Sequence, residues 1–251
     1  MHRFISGALY PLYAASVLAR APRLWRYVLI PMLLNLLVGL TLYAGLLYAG
    51  LSAIDSFVAG LPAWAAALGA LLRLLLIVGL LIATGFVLVR FGVVLGAPWY
   101  TRLSAELELL RGGQPLLAQG AGLSAASRDL IRALAFELRK LLLVVVIGAL
   151  LLLLNLIPVA GQLLATAGWI ALGATITCLD FFDYPLERRL LSFRAKLGVI
   201  RSSLPASAGF GLACLGLVSI PFVNLLSIPL CVAAGTLFFR DHIAPVLARQ
   251  S

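Results

Sequence analysis

The chain has 251 residues, 63% of them hydrophobic and 11% charged, and no water-soluble domain of that size hides so much apolar surface in one core. An all-α integral membrane protein is the class that fits. The net charge of +10 would suggest nucleic acid in a soluble chain; here topology explains it first, because cytoplasmic segments collect Lys and Arg, and no nucleic-acid partner is expected.

Eighteen of the nineteen Lys and Arg fall in four clusters, Arg3 to Arg26, Arg90 to Lys140, Arg188 to Arg201, and Arg240 with Arg249, leaving Arg73 alone. All four clusters are expected inside, with both termini cytoplasmic. Residues 2–20 read as an amphipathic approach segment whose Tyr10 and Tyr13, with Trp25, suit the headgroup level. The apolar run that follows continues far past signal-peptide length and meets no small-residue cleavage site, so it reads as a retained span. The first span is expected over about 27–54 and the second over about 72–97, with Trp64 marking the interface between them. Arg73 snorkels outward in this reading, and Arg90 takes Glu106 or Glu108 as its partner.

Pro98 is expected to end the second span, since proline lacks a donor and clashes with the preceding turn. Cytoplasmic amphipathic helices then occupy about 98–140, stopped once at Gly112 and Gly113, with Gly120 to Gly122 in a loop and Arg128, Arg132, Arg139 and Lys140 kept wet.

Two uncharged stretches follow, Leu141 to Leu179 with 39 residues and Ser202 to Phe239 with 38. One helix of that length would reach ~57 Å, nearly twice the ~30 Å hydrocarbon thickness. Each must fold back, and each carries a break at its middle: Asn155-Leu-Ile-Pro158-Val-Ala-Gly161-Gln162 and Ile220-Pro221-Phe-Val-Asn224. The expected hairpins, about 141–179 and 202–239, either cross twice or re-enter; periodicity does not choose. Paired interrupted segments point to a transport site. Asn155, Gln162 and Asn224 are expected to satisfy backbone groups freed by Pro158 and Pro221, or to line a polar pathway. The whole chain, 1–251, reads as a single membrane domain.

Little points to catalysis. There is no Gly-x-Ser-x-Gly elbow, P-loop or HExxH. Asp180 and Asp183, with Arg188 and Arg189 close by, read as a solvated structural cluster. Cys178, Cys214 and Cys231 read as buried thiols, and His2 and His242 have no ligand neighbours at metal spacing, so neither a metal nor a cofactor is expected. The better lead is Arg23 and Arg26, three apart on one face of a starting helix with Pro22 in its first turn. Unpaired N–H groups, the dipole and guanidinium forks all suit an oxyanion there. The same arginines equally serve positive-inside orientation and contact with lipid headgroups.

Five stretches, in this order, carry a resemblance over essentially the whole chain. They are Pro22-Arg-Leu-Trp-Arg26-Tyr-Val-Leu-Ile-Pro31-Met-Leu-Leu-Asn35; Ala97-Pro98 with Leu103-Ser-Ala-Glu106; Ile157-Pro158-Val-Ala-Gly161-Gln162; Asp183-Tyr184-Pro185 with Ser192-Phe193; and Ile220-Pro221-Phe-Val-Asn224-Leu with Pro229. Together they resemble the CysZ sulfate permeases and the related etoposide-induced-protein group. The resemblance implies a bacterial inner-membrane importer of sulfate for cysteine biosynthesis. It further implies two long transmembrane helices plus two re-entrant helical hairpins, assembled as a homodimer or larger homo-oligomer among membrane lipids. The family's Gly-Leu-Arg-type sulfate motif falls on Arg23-Leu24-Trp25-Arg26, where Arg23 stands at the glycine position and Trp25 at the first arginine, while Arg26 agrees with the second basic residue. Sulfate or a related oxyanion is the expected partner. A non-transporting membrane scaffold or assembly factor is the alternative.

Overall fold

The computed structural model describes residues 2–60, 62, 66–112, 123–220 and 223–247. These form helices only: α1 (His2–Ala8), α2 (Tyr10–Arg20), a 3-10 turn (Pro22–Leu24), α3 (Trp25–Val58), α4 (Ala66–Leu110), α5 (Leu123–Leu154), α6 (Ala160–Glu187), α7 (Phe193–Ser202), α8 (Ala206–Ser219) and α9 (Val223–Phe238). A π-helical turn (Phe239–Ile243) carries α9 into the short α10 (Ala244–Leu247). Among the described residues, Pro22–Val58, Ala67–Val87, Ala160–Glu187 and Val223–Leu247 are long and apolar enough to cross a bilayer. The protein is a multi-pass, all-α membrane protein.

The first expected span lies within α3, which packs along α4. Arg73, expected to snorkel alone, instead meets Asp55 at 2.7 Å, tying the two helices near the connection between them. Trp64 in that connection falls outside the described residues.

The expected stop at Pro98 is not there: α4 runs through it to Leu110. The lost N–H and ring clash cost about 3 kcal/mol. Beyond the proline, however, Tyr100, Leu103 and Leu107 are all fully buried, and each such side chain contributes roughly 1.5–3 kcal/mol. Burial wins, and Thr101 Oγ1 donates to the Ala97 carbonyl beside the proline. The glycine stop does operate at Gly112, whose φ of +69° suits only that residue type comfortably; Gly113 and the loop at Gly120 to Gly122 lie outside the described residues. Residues 98–110 therefore belong to α4, and 123–140 to an α5 continuous with the first uncharged stretch.

Both hairpin breaks fall where Pro, Asn and Gly predict. α5 and α6 are joined through residues 155–159, and α8 gives way to α9 after Ile220, with Pro221 itself outside the described residues. Ser192 caps α7, its Oγ accepting the Ala195 N–H, and α7 meets α8 at 105°.

The core gathers around α9, which touches α2, α3, α4, α6 and α8. Phe238 stacks on Phe182 at 5.0 Å between centroids, Phe182 on Phe210 at 4.7 Å, and Tyr10 meets Phe238 edge-on at 5.0 Å. Tyr10 thus lies inside the protein instead of at the headgroups, its hydroxyl donating to Asp241 at 3.0 Å. The approach segment is pinned by backbone contact: a Cβ on Gly7 would sit 1.9 Å from the Ala206 carbonyl oxygen, so α1 crosses α8 at a distance only glycine permits. The three cysteines are free and buried, as expected.

Candidate functional site

α2 ends at Arg20, and the chain turns through Ala21 into Pro22–Leu24 before α3 begins. Proline presets the φ of that turn. Leu24 is fully buried and anchors it to the core. The Trp25 indole folds back, Nε1 donating to the Leu18 carbonyl at 3.1 Å, which ties the start of α3 to the last turn of α2. Leu24 and Trp25 of the predicted motif are thereby the frame of the turn.

The two arginines are its open face. Arg23 and Arg26 are exposed. Among the described residues Arg23 makes no hydrogen bond or ion pair, and Arg26 donates only to the neighbouring Tyr27 hydroxyl at 2.7 Å, its guanidinium 4.7 Å over that ring. Neither is neutralised by a carboxylate among the described residues. The backbone contributes less than expected: the Leu24 N–H goes to the Ala21 carbonyl and the Trp25 N–H to that of Pro22, so the tight turn consumes its own donors. Arg20, exposed and three residues before Arg23, adds a third charge around the turn. Its spacing, Arg-x-x-Arg-x-x-Arg, was the sequence signal for it.

The other basic residues are used differently. Glu108 is fully buried on α4 and accepts from Arg188, and from Arg189 at 3.1 Å. Arg188 also donates to Ser104 Oγ at 2.9 Å and to the Thr101 carbonyl at 3.3 Å, while Thr236 Oγ1 of α9 donates to Ser104 Oγ at 2.8 Å. Burial pulls the Arg188 guanidinium below the ordinary arginine value, and Glu108 opposes the shift. Lys196, buried on α7, holds Asp183 and, at 2.5 Å, Glu187; Lys140 bridges Glu137 at 2.8 Å and Asp180 at 2.7 Å. The acid cluster expected to be solvated is therefore a partly buried ion network that fastens α4, α5, α6 and α7 together, with Asp180 still 42% exposed. Its cations face carboxylates already, which leaves little field for another anion.

The remaining predicted positions scatter. Arg90 lies on α4, but its side chain is outside the described residues; Glu106 is half-buried on the same helix, and Glu108 belongs to Arg188 and Arg189. Asn155, Pro158 and Gln162 are exposed at the α5–α6 tip. Asn155 Nδ2 donates to the Leu151 carbonyl at 3.4 Å, so it does answer a carbonyl left at the helix end. Asn224 is buried instead, and its Oδ1 has no hydrogen-bond partner among the described residues. No group of three or more His, Cys, Asp or Glu disposed to hold a metal occurs among those residues.

Known proteins resemble this sequence. The family described as "Sulfate transporter CysZ/Etoposide-induced protein 2.4" matches residues 10–229. The chain belongs to that family. Within it, the chain is 30% identical over 236 residues to the "Sulfate transporter CysZ" of Pseudomonas syringae pv. tomato, covering 90% of this chain and 89% of that one. It is 29% identical over 238 residues to the protein so named from Pseudomonas aeruginosa, with 94% of each covered. The Vibrio cholerae protein of the same name is 28% identical over 223 residues, 87% of each. The CysZ relatives therefore align with most of the chain.

Proposed function

We propose that this protein is a sulfate permease of the bacterial inner membrane, importing sulfate for cysteine biosynthesis. The observation that carries the reading is the uncompensated pair Arg23 and Arg26 at the foot of α3, in a chain whose relatives are named sulfate transporters. Sulfate carries two charges on a tetrahedron of oxygens, which guanidinium forks match, and Leu24 and Trp25 hold those forks in place. Movement is passive or ion-coupled, with no nucleotide motif to drive it. The termini lie in the cytoplasm, where positive-inside bias puts their arginines. Both hairpins re-enter from that side, because one arm of each is too short to cross: residues 141–154 of α5, and α8 with 14 residues, each reach only ~21 Å against ~30 Å of hydrocarbon. Asn155, Pro158, Gln162, Pro221 and Asn224 then shape the tips that close the route, Arg90 and Glu106 flank it, and the working unit is a homodimer or larger.

Uptake of radiolabelled sulfate into proteoliposomes tests this. Wild-type protein is expected to transport, and Arg23→Ala with Arg26→Ala to lose at least tenfold, with partial recovery in the double Lys variant. Absence of sulfate uptake by the wild-type protein, or full uptake by the double Ala variant, overturns the reading. A scaffold that moves no ion is favoured by nothing in the site.

A further inference from the structure

A basic pocket lies far along the chain from the Arg23 turn. It opens between the first half of α5 and the turn joining α6 to α7, with a volume of about 250 Å³, and Arg132, Phe136, Arg139, Leu190, Ser192 and Lys196 are among its walls. Arg132 and Arg139 are seven residues apart, two turns of one helix face, or ~10 Å along the axis. Phe136 lies between them, its ring 5.8 Å from that of Phe193 and 4.4 Å from Lys196 Nζ. Among the described residues of the pocket, Arg132 and Arg139 are the exposed cations, whereas Lys196 is already engaged by Asp183 and, at 2.5 Å, by Glu187. Arg139 makes no hydrogen bond or ion pair among the described residues and is exposed. Ser192 caps α7 through the Ala195 N–H, so the Phe193 N–H precedes the helical ladder at the pocket wall.

The lip of the pocket is apolar. Ile131 is 65% exposed, and Leu190 is 61% exposed on a backbone with φ of +54°, a conformation a branched non-glycine residue adopts only under constraint. From Ile131 an exposed stripe of Leu134, Leu138, Leu141, Leu142 and Val145 continues along α5. Lys140 is the last charge before the uncharged run that begins at Leu141. By helix rise Arg139 lies ~3 Å and Arg132 ~14 Å from the start of that run, so the Arg139 end of the pocket sits at headgroup depth and the Arg132 end beyond it.

We infer that this pocket binds the phosphate headgroup of an anionic membrane phospholipid, with Arg132 and Arg139 on the phosphate and an acyl chain along the α5 stripe. Charge complementarity selects the headgroup, and the unbroken apolar stripe from lip to hydrocarbon selects a lipid over a free ion. The inference is independent of the transport reading, which uses other residues.

Native mass spectrometry of the full chain in detergent, offered phosphatidylglycerol or phosphatidylcholine, tests it. Phosphatidylglycerol is expected to be retained at least tenfold better, and Arg132→Gln with Arg139→Gln to bring it down to the phosphatidylcholine level. The double Lys variant is expected to recover most of the retention, and removal of two charges elsewhere, Arg102→Gln with Arg201→Gln, to change it less than twofold. Equal retention of the two lipids, equal loss in the remote charge variant, or undiminished retention in the pocket variant each overturns the inference. So does displacement of the lipid by millimolar inorganic phosphate, which would make it a free-anion site.

Discussion

In the α8–α9 hairpin, Cys231, Val232, Ala233, Ala234 and Thr236 are wholly enclosed by protein, whereas at the α5–α6 hairpin Leu156, Leu163 and Leu164 stand more than 60% exposed. Hydropathy does not separate the two: mean hydropathy is 1.5 for the span over α6 and 1.6 for that over α9. Residue size does. The run Ala233-Ala-Gly-Thr236 lets neighbouring backbones approach, and a Cβ on Gly235 would lie 2.6 Å from the Phe181 carbonyl oxygen. The leucines of α5 offer bulk, which suits acyl chains as well as it suits protein. Inside a bilayer, where lipid is as apolar as leucine, small residues mark what is packed against protein and large ones what is left to lipid.

The largest expected effect breaks what holds both hairpins at their base. Glu108→Ala leaves Arg188 and Arg189 without their carboxylate in a buried site, a loss of about 3–5 kcal/mol. At roughly 2–4 °C per kcal/mol for a chain of this size, thermal unfolding in detergent should fall by roughly 6–20 °C. An unchanged transition would mean that the network does not fasten α4 to α6. Next comes a matched pair of truncations. Leu237→Ala in the enclosed hairpin should cost about 2–5 kcal/mol, and Leu164→Ala in the bare one within ~0.5 kcal/mol, as at an ordinary surface position. Similar losses at the two sites would erase the contrast.

A finer comparison uses glycine alone. Gly235→Ala should cost about 1–3 kcal/mol because backbone must move, while Gly216→Ala, with open space around its Cβ, should be neutral. The smallest signal is positional: single cysteines at Ile157 or Gln162, in a background lacking the native thiols, should stay unlabelled by an impermeant reagent from the outer face. Ready labelling would make α5–α6 a full double crossing.

Much of this fold was legible because its punctuation is local. The breaks at Asn155–Pro158 and Ile220–Asn224 announce themselves in one window of sequence, and so do the apolar run of α3 and the glycine stop at Gly112. What was hidden depends on partners far away. Pro98 reads as a stop unless one knows that Tyr100, Leu103 and Leu107 are covered by other helices. Glu108 reads as a partner for Arg90, while the arginines that hold it lie 80 and 81 residues on. Lys196 sits in a polar stretch, yet it is among the most buried side chains in the protein. At the candidate anion site, the arginines were readable from spacing; that Leu24 is structural and that the 3-10 turn absorbs its own N–H groups required the folded chain.

α4 runs unbroken for 45 residues, or ~68 Å, and only its first part is needed to cross the hydrocarbon. From Ala67 to Glu108 the axis covers roughly 60 Å, so a tilt of about 5° of the outer segment, turning as one piece, sweeps Glu108 sideways by about 5 Å. That is longer than any ion pair made there. The helix is in effect an oar with its blade in the bilayer and its handle in the salt-bridged base.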